Sequence, residues 1–301
     1  MFDVDFYMKV SNLKKKLDSG EIPGRQKIAE MVESLRSRKP IIYNIETTNA
    51  CNMKCKMCPR TTMMTRNVET MAPELFEHIV EQIEPHSSEL WAKWEKYVLE
   101  EYSIPPDSMS ENHFFLHIIP KVIQLHGYGD PLLDRNMATY VKLLTSRGFL
   151  SYFSCNPSNI DLNKTIEMFQ SGLSFIKYSI ESVDDKSHKQ IRGEASNFSE
   201  SYEKIKTLLR EKKEKKFKTT IIITMLDLNR TSQREDFEIL KQAFDGLDVY
   251  LYLKSEDQQW YRKDFHGTKS IHWSEFCKHP WMSVTVKSNG ELAMCMEDFD
   301  N

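Results

Sequence analysis

Three cysteines, Cys51, Cys55 and Cys58, stand in the stretch Asn49-Ala50-Cys51-Asn52-Met53-Lys54-Cys55-Lys56-Met57-Cys58-Pro59-Arg60. Three thiolates in C-x3-C-x2-C spacing on one tight loop can reach three irons of a cubane [4Fe-4S] cluster, where a closed site takes four cysteines. The fourth iron is then open to a substrate or cosubstrate. Two other chemistries compete for the same residues. Zinc sites usually pair two C-x2-4-C units, and here Cys277 and Cys295 would have to supply the second pair. A disulfide framework needs an oxidising compartment, yet the start Met1-Phe2-Asp3-Val4-Asp5 is acidic and has no apolar core of the secretory kind.

The elements that must position such a loop follow from the pattern around it. Short β-rich runs alternate with amphipathic ones from Ile41 onwards, the rhythm of βα units around a parallel sheet. Strands are expected at Ile41 to Thr47, Lys121 to Leu125, Leu150 to Ser154, Phe175 to Ile180, Thr219 to Met225 and Val249 to Leu253. Between them the spacing predicts helices at Pro73 to Gln82, Asn136 to Arg147, Leu162 to Gln170, Ser199 to Lys213 and Gln233 to Phe244. Two further helices, Met8 to Leu17 and Arg25 to Leu35, open the chain. The fold class is therefore α/β, a partial (β/α)6 TIM-like barrel with N-terminal helices and a short C-terminal β-hairpin extension. Its expected divisions are 1–40, the barrel 41–255 with an insertion at 84–120, and 256–301. In the insertion, Trp91, Trp94, Tyr97 and Tyr102 recur at helical intervals, which reads as an amphipathic helix on the barrel wall. Parallel barrels carry chemistry on loops after the carboxyl ends of strands, and the cysteine loop follows the first strand.

Composition narrows the partners. With 41 Lys and Arg against 44 Asp and Glu, net charge −3 over 301 residues, nothing favours nucleic acid or an anionic membrane as partner. Apolar runs such as Ile221-Ile222-Ile223 fall far short of the ~20 residues a spanning helix needs. Six cysteines without an export signal fit a reducing cytoplasm.

A second constellation, His126-Gly127-Tyr128-Gly129-Asp130-Pro131-Leu132, follows the second strand; paired glycines there let backbone approach a ligand closely. Ser154-Cys155-Asn156 and Ser179-Ile180-Glu181-Ser182 follow the third and fourth strands. Glu46, at the first strand, is a carboxylate that burial would make costly unless paired or used, hence a candidate for substrate binding. Taken together, the cysteine loop and the glycine stretch resemble the radical S-adenosylmethionine (radical SAM) superfamily.

That resemblance implies a [4Fe-4S] cluster on Cys51, Cys55 and Cys58 whose open iron chelates S-adenosylmethionine, and a reducing donor such as flavodoxin or ferredoxin. It implies that Gly127, Gly129 and Asp130 stand for the superfamily's Gly-Gly-Glu-Pro motif, from which Tyr128 and Asp130 depart. Met57 would lie near the adenine, Ser154, Asn156, Ser179 and Glu181 would line the cosubstrate, and Arg192 would take the methionine carboxylate, a task suited to its planar fork. Cys155 is a candidate hydrogen donor. The hairpin signal around Asn289-Gly290, flanked by Cys277 and Cys295, is similar to the opening of a SPASM or twitch extension, shortened here. Those two cysteines would supply at most two ligands to a possible auxiliary cluster. The resemblance points to hydrogen abstraction from a peptide or a small sugar-like substrate; a catalytically degenerate iron-sulfur or zinc protein and a redox carrier are the alternatives.

Overall fold

The computed structural model describes residues 1–18, 20, 23–228, 230–254, 279–295, 298 and 300. Six strands form in the expected order: β1 (Ile42–Ile45), β2 (Val122–Gln124), β3 (Leu150–Cys155), β4 (Phe175–Ser179), β5 (Thr220–Leu226) and β6 (Val249–Lys254). All neighbours among them run parallel. Two more strands, β7 (Val284–Val286) and β8 (Leu292–Ala293), form the hairpin predicted around Asn289-Gly290. This hairpin is part of the barrel's own sheet. β7 pairs parallel with β1, so the sheet order is β6-β5-β4-β3-β2-β1-β7-β8, an unclosed barrel.

Strand periodicity sorts the side chains into two layers. On one face Val122, Tyr152, Ile222, Tyr250 and Tyr252 share an apolar cluster with Phe114, Ile118 and Ile119, which fill the barrel interior from below. Phe153, Ile176, Tyr178, Ile221 and Ile223 pack on the other face, towards the helices. Burial on both faces explains why Thr220–Leu226 reads as a nearly continuous apolar run. The connecting helices, Met137–Ser146, Leu162–Gln170, Phe198–Lys215 and Gln233–Ala243, lie within two residues of their predicted bounds. Their starts are legible because side-chain caps mark two of them: Asp161 accepts from the Lys164 N–H and Asn197 from the Glu200 N–H.

Three differences from the sequence reading have local causes. β1 ends before Thr47 because Thr47 O turns to accept the Met71 N–H and Thr48 bridges antiparallel to Thr70. The first helix, Val4–Asp18, begins four residues early because Asp3 accepts the Phe6 N–H as its cap. A short helix, Asp185–Arg192, escaped the periodicity because only His188 and Ile191 are buried along it.

The insertion also packs differently. Its helix Ser88–Tyr102 buries Trp94 and Val98 against Val4 and Tyr7 of the first helix rather than against the strands, and the Trp94 indole donates to Leu116 O at 2.7 Å. Phe114, farther along the insertion, is the residue that enters the barrel. Fully buried against Tyr152 and Tyr252, it closes the lower end of the interior. Among the described residues no helix is long and apolar enough to cross a membrane.

Truncating that plug leaves a void that a rigid barrel cannot close. Phe114→Ala is expected to lower stability by about 3 kcal/mol or more in urea unfolding followed by circular dichroism.

Candidate active site

The cysteine loop is fixed by its neighbours. Lys54 N donates to Arg192 O and Lys56 N to Ile191 O, both at 2.9 Å, so the loop hangs on the end of the helix Asp185–Arg192. Thr61 Oγ1 donates to Cys55 O, and Arg60 Nε to Asn49 O. The Arg192 guanidinium reaches Cys55 Sγ at 3.7 Å. Burial pushes the Cys51 thiol up to about 11 and raises Cys55 and Cys58 as well. Bare thiols so placed stay protonated at neutral pH, and it is metal binding that stabilises the thiolate form.

The second constellation docks on the first. A Cβ on Gly127 would lie 2.3 Å from Glu46 Oε2, and one on Gly129 would lie 2.1 Å from Thr48 O. The two glycines are thus required by close packing on the continuation of β1, which the sequence reading assigned to a ligand. Asp130 N donates to Ala50 O at 2.8 Å, tying this loop to the cysteine stretch. The Asp130 carboxylate accepts from Leu132 N, Asn156 N and Asn159 Nδ2 at 3.0, 3.0 and 2.8 Å. Burial raises its pKa against the pull of those donors. It is therefore a brace between loops, with its oxygens taken.

Glu46 is also committed. Its oxygens accept both arms of Arg66 at 2.8 and 3.0 Å, the Tyr128 N–H at 3.0 Å and the Ser288 hydroxyl at 3.3 Å. Burial opposes ionisation, but Arg66 and the Tyr128 N–H outweigh it and hold the pKa below the usual carboxylate value. A second ion pair joins Glu181 to Arg192, and the other Glu181 oxygen accepts the Leu226 N–H at 2.8 Å. The arginine expected on a methionine carboxylate is thus already paired with a protein carboxylate. Asn156 bonds Ser158 N and Ser196 Oγ. Ser154 and Ser179 face each other at 3.5 Å.

Apart from the two auxiliary cysteines, every residue named above from the sequence as a ligand, cosubstrate contact or catalytic candidate lines one cavity of about 460 Å³ at the carboxyl ends of the strands. That is large enough for a nucleoside-sized cosubstrate with a small group beside it. Cys155 borders the cavity only at the end of β3; its side chain belongs to the apolar layer with Phe153 and Tyr178, and its thiol donates to Lys177 O at 3.7 Å. Cys295 is half-buried, whereas Cys277 lies outside the described residues, so the auxiliary site has one described cysteine.

Several lining residues were missed. Lys177 projects inwards with its ammonium 5.1 Å from the Phe114 ring and 5.8 Å from Tyr152. His126 is pushed down to about 3 by burial and then by Lys177, so it is neutral. Strand alternation gave a signal for Lys177, which shares parity with Ser179, but Arg66 and Lys287 reach the cavity through tertiary packing alone.

The donor set fits a cubane. Three cysteines on one loop face a common space, with no fourth from that loop. Among the described residues no three His, Cys, Asp or Glu side chains converge on a point suited to a single metal ion. A cubane does not ask for that convergence, because each sulfur holds a different iron.

The family model of the Radical SAM superfamily matches residues 45–240, about two thirds of the chain. The chain belongs to the radical SAM superfamily. Membership makes it an enzyme type that works by radical chemistry and implies a [4Fe-4S] cluster with S-adenosylmethionine. No curated protein matches it significantly. Among solved structures it is similar to Streptococcus suis SuiB bound to S-adenosylmethionine, at 13% identity over 96% of this chain and 71% of that one, with TM-score 0.54. SuiB bound to precursor peptide SuiA gives 12% identity, 96% and 72% coverage and TM-score 0.52. BtrN in complex with AdoMet and 2-DOIA gives 15%, 87% and 76%, and 0.46. At these identities the likeness to SuiB is one of fold.

Glu46→Gln leaves the Arg66 guanidinium buried without its counter-charge and should cost about 3 kcal/mol at neutral pH. Because the folded pKa of Glu46 is depressed, its contribution is complete above the unfolded value of 4.5 and fades as pH falls through the folded one. Acid titrations of unfolding should therefore show a shallower loss of stability in Glu46→Gln than in the parent chain.

Proposed function

We propose that this chain is a radical SAM enzyme that abstracts a hydrogen from a peptide or small sugar-like substrate held beneath its cosubstrate. The observation that carries the reading is the gathering of Cys51, Cys55 and Cys58 with the Gly127–Asp130 loop and the Glu181–Arg192 pair around one cavity. When bound, the cluster supplies the electron that splits the sulfonium of S-adenosylmethionine and yields a 5′-deoxyadenosyl radical. Cys51, Cys55 and Cys58 would hold the cluster. The backbone of the Gly127–Gly129 loop would meet the cosubstrate's amino group, since the Asp130 carboxylate is taken by its own neighbours. Met57 would lie by the adenine, with Ser154, Asn156, Ser179 and Glu181 along the ribose and methionine. Arg192 would sit between the cosubstrate carboxylate and Glu181.

Below them the interior supplies positioning and exclusion. Phe114 and Tyr152 close the floor against water, which protects a carbon radical from side reactions. A flavodoxin- or ferredoxin-type donor would deliver the electron. Peptide as substrate class draws support from the fold shared with SuiB, whose structure holds a precursor peptide. We keep 1–40, 41–255 and 256–301 as functional divisions, with β7 of the last forming part of the cavity wall.

Anaerobic protein reconstituted with iron and sulfide should bind about four irons and four sulfides, and release 5′-deoxyadenosine on addition of dithionite and S-adenosylmethionine. Replacing Cys51, Cys55 and Cys58 by alanine should abolish both. Zinc in place of iron, or intact cosubstrate after reduction, would overturn the reading.

A further inference from the structure

The charges lining the cavity are mostly spent within the protein. Glu46 takes Arg66, Glu181 takes Arg192, and Asp130 is filled by three N–H donors. Lys287 is different. It follows β7, lines the cavity and is 2% exposed, yet its ammonium has no hydrogen-bond partner among the described residues. A buried, unpaired ammonium is costly unless it sheds its proton or meets a counter-charge.

The groups that face it do not supply that partner. Glu46 attracts it but has both oxygens engaged by Arg66, Tyr128 N and Ser288. Glu291 and Asp298 attract it from a distance, and Arg66 repels it. Burial is the larger influence and lowers its pKa. Thr285, one strand period before it, lines the same wall and adds a hydroxyl. The position also matters. β7 flanks β1, so Lys287 stands beside Glu46 at the carboxyl ends of the strands.

We infer that Lys287 is the receptor for an anionic group, a carboxylate or a phosphate, carried by the substrate, and that the C-terminal hairpin is therefore a specificity element of the active site. This inference rests on the enzymatic reading above. A lysine suits the task as a compact point charge that accepts either anion without demanding one geometry. It narrows the substrate class to acidic peptides, amino acid derivatives or phosphorylated and carboxylated small molecules, and disfavours neutral sugars.

The test uses the full reconstituted chain, anaerobic, with saturating S-adenosylmethionine. Lysines are trace-acetylated with acetic anhydride and quantified by peptide mass spectrometry, with exposed Lys142 as the internal reference. Inorganic phosphate, succinate and chloride are compared at matched ionic strength. An anion seated on Lys287 should cut its labelling by about fivefold relative to chloride while Lys142 is unchanged, since occupancy removes the free amine. Protection by phosphate alone assigns a phosphate, and protection by succinate alone a carboxylate. Equal labelling in all three, complete inertness of Lys287, or full protection by S-adenosylmethionine without either anion would each overturn the inference. Release of 5′-deoxyadenosine from the same preparation is measured in parallel, so that failure of the enzymatic reading is seen separately from failure of anion protection.

Discussion

A single buried carboxylate holds the working end of this barrel together. Glu46 leaves the end of β1 and receives Arg66 from the segment after the cysteine loop, Tyr128 N from the glycine loop and Ser288 from the C-terminal hairpin. Four stretches far apart in sequence thereby meet at one pair of oxygens. A charge in that position must be paired to be tolerated, and the pairing makes the loops interdependent. The glycines obey the same constraint, because Gly127 has no room for a side chain beside the Glu46 carboxylate.

Around this clamp the other polar groups form a frame rather than a set of open ligands. Asp130 joins the glycine loop to the end of β3, and Arg192 joins the end of its helix to both Glu181 and the cysteine loop. Rigid support of this kind is what a site handling a reactive radical requires, since small displacements of a reacting atom cost rate steeply. The floor is apolar where the rim is polar. Phe2 stacks on Tyr43 at 4.5 Å, and Phe114 and Ile119 complete the seal, so the segment leading into the first helix and the insertion serve the cavity from beneath.

The residues that chemistry needs were largely legible in order along the chain. Cysteine spacing carries information because the three thiolates come from one loop, and strand-end polar residues carry it because parallel barrels place such ends on one rim. Less legible were the purposes of those residues. Glu46 looked like a group awaiting substrate, and Gly127 and Gly129 looked like a gap for a ligand; each proved to be engaged by protein. Of their partners, Arg66 lies in a segment whose local sequence carries no strand or helix signal, and Ser288 sits in a hairpin whose sequence signal does not say which strand it joins. The helix Ser88–Tyr102 showed its aromatic stripe plainly, yet its partner was the first helix, because amphipathic periodicity reports that a face is buried and not against what.

What the sequence determined by itself was the alternation of strands and helices, the cysteine loop after the first strand, and the hairpin at Asn289-Gly290, all of which arise from local propensity and short-range spacing. Only the tertiary structure decided that β7 adds to the sheet beside β1, that Phe114 fills the barrel, and that Lys287 in the cavity wall has no hydrogen-bond partner among the described residues. These depend on contacts between residues distant in sequence, which no short window along the chain can contain.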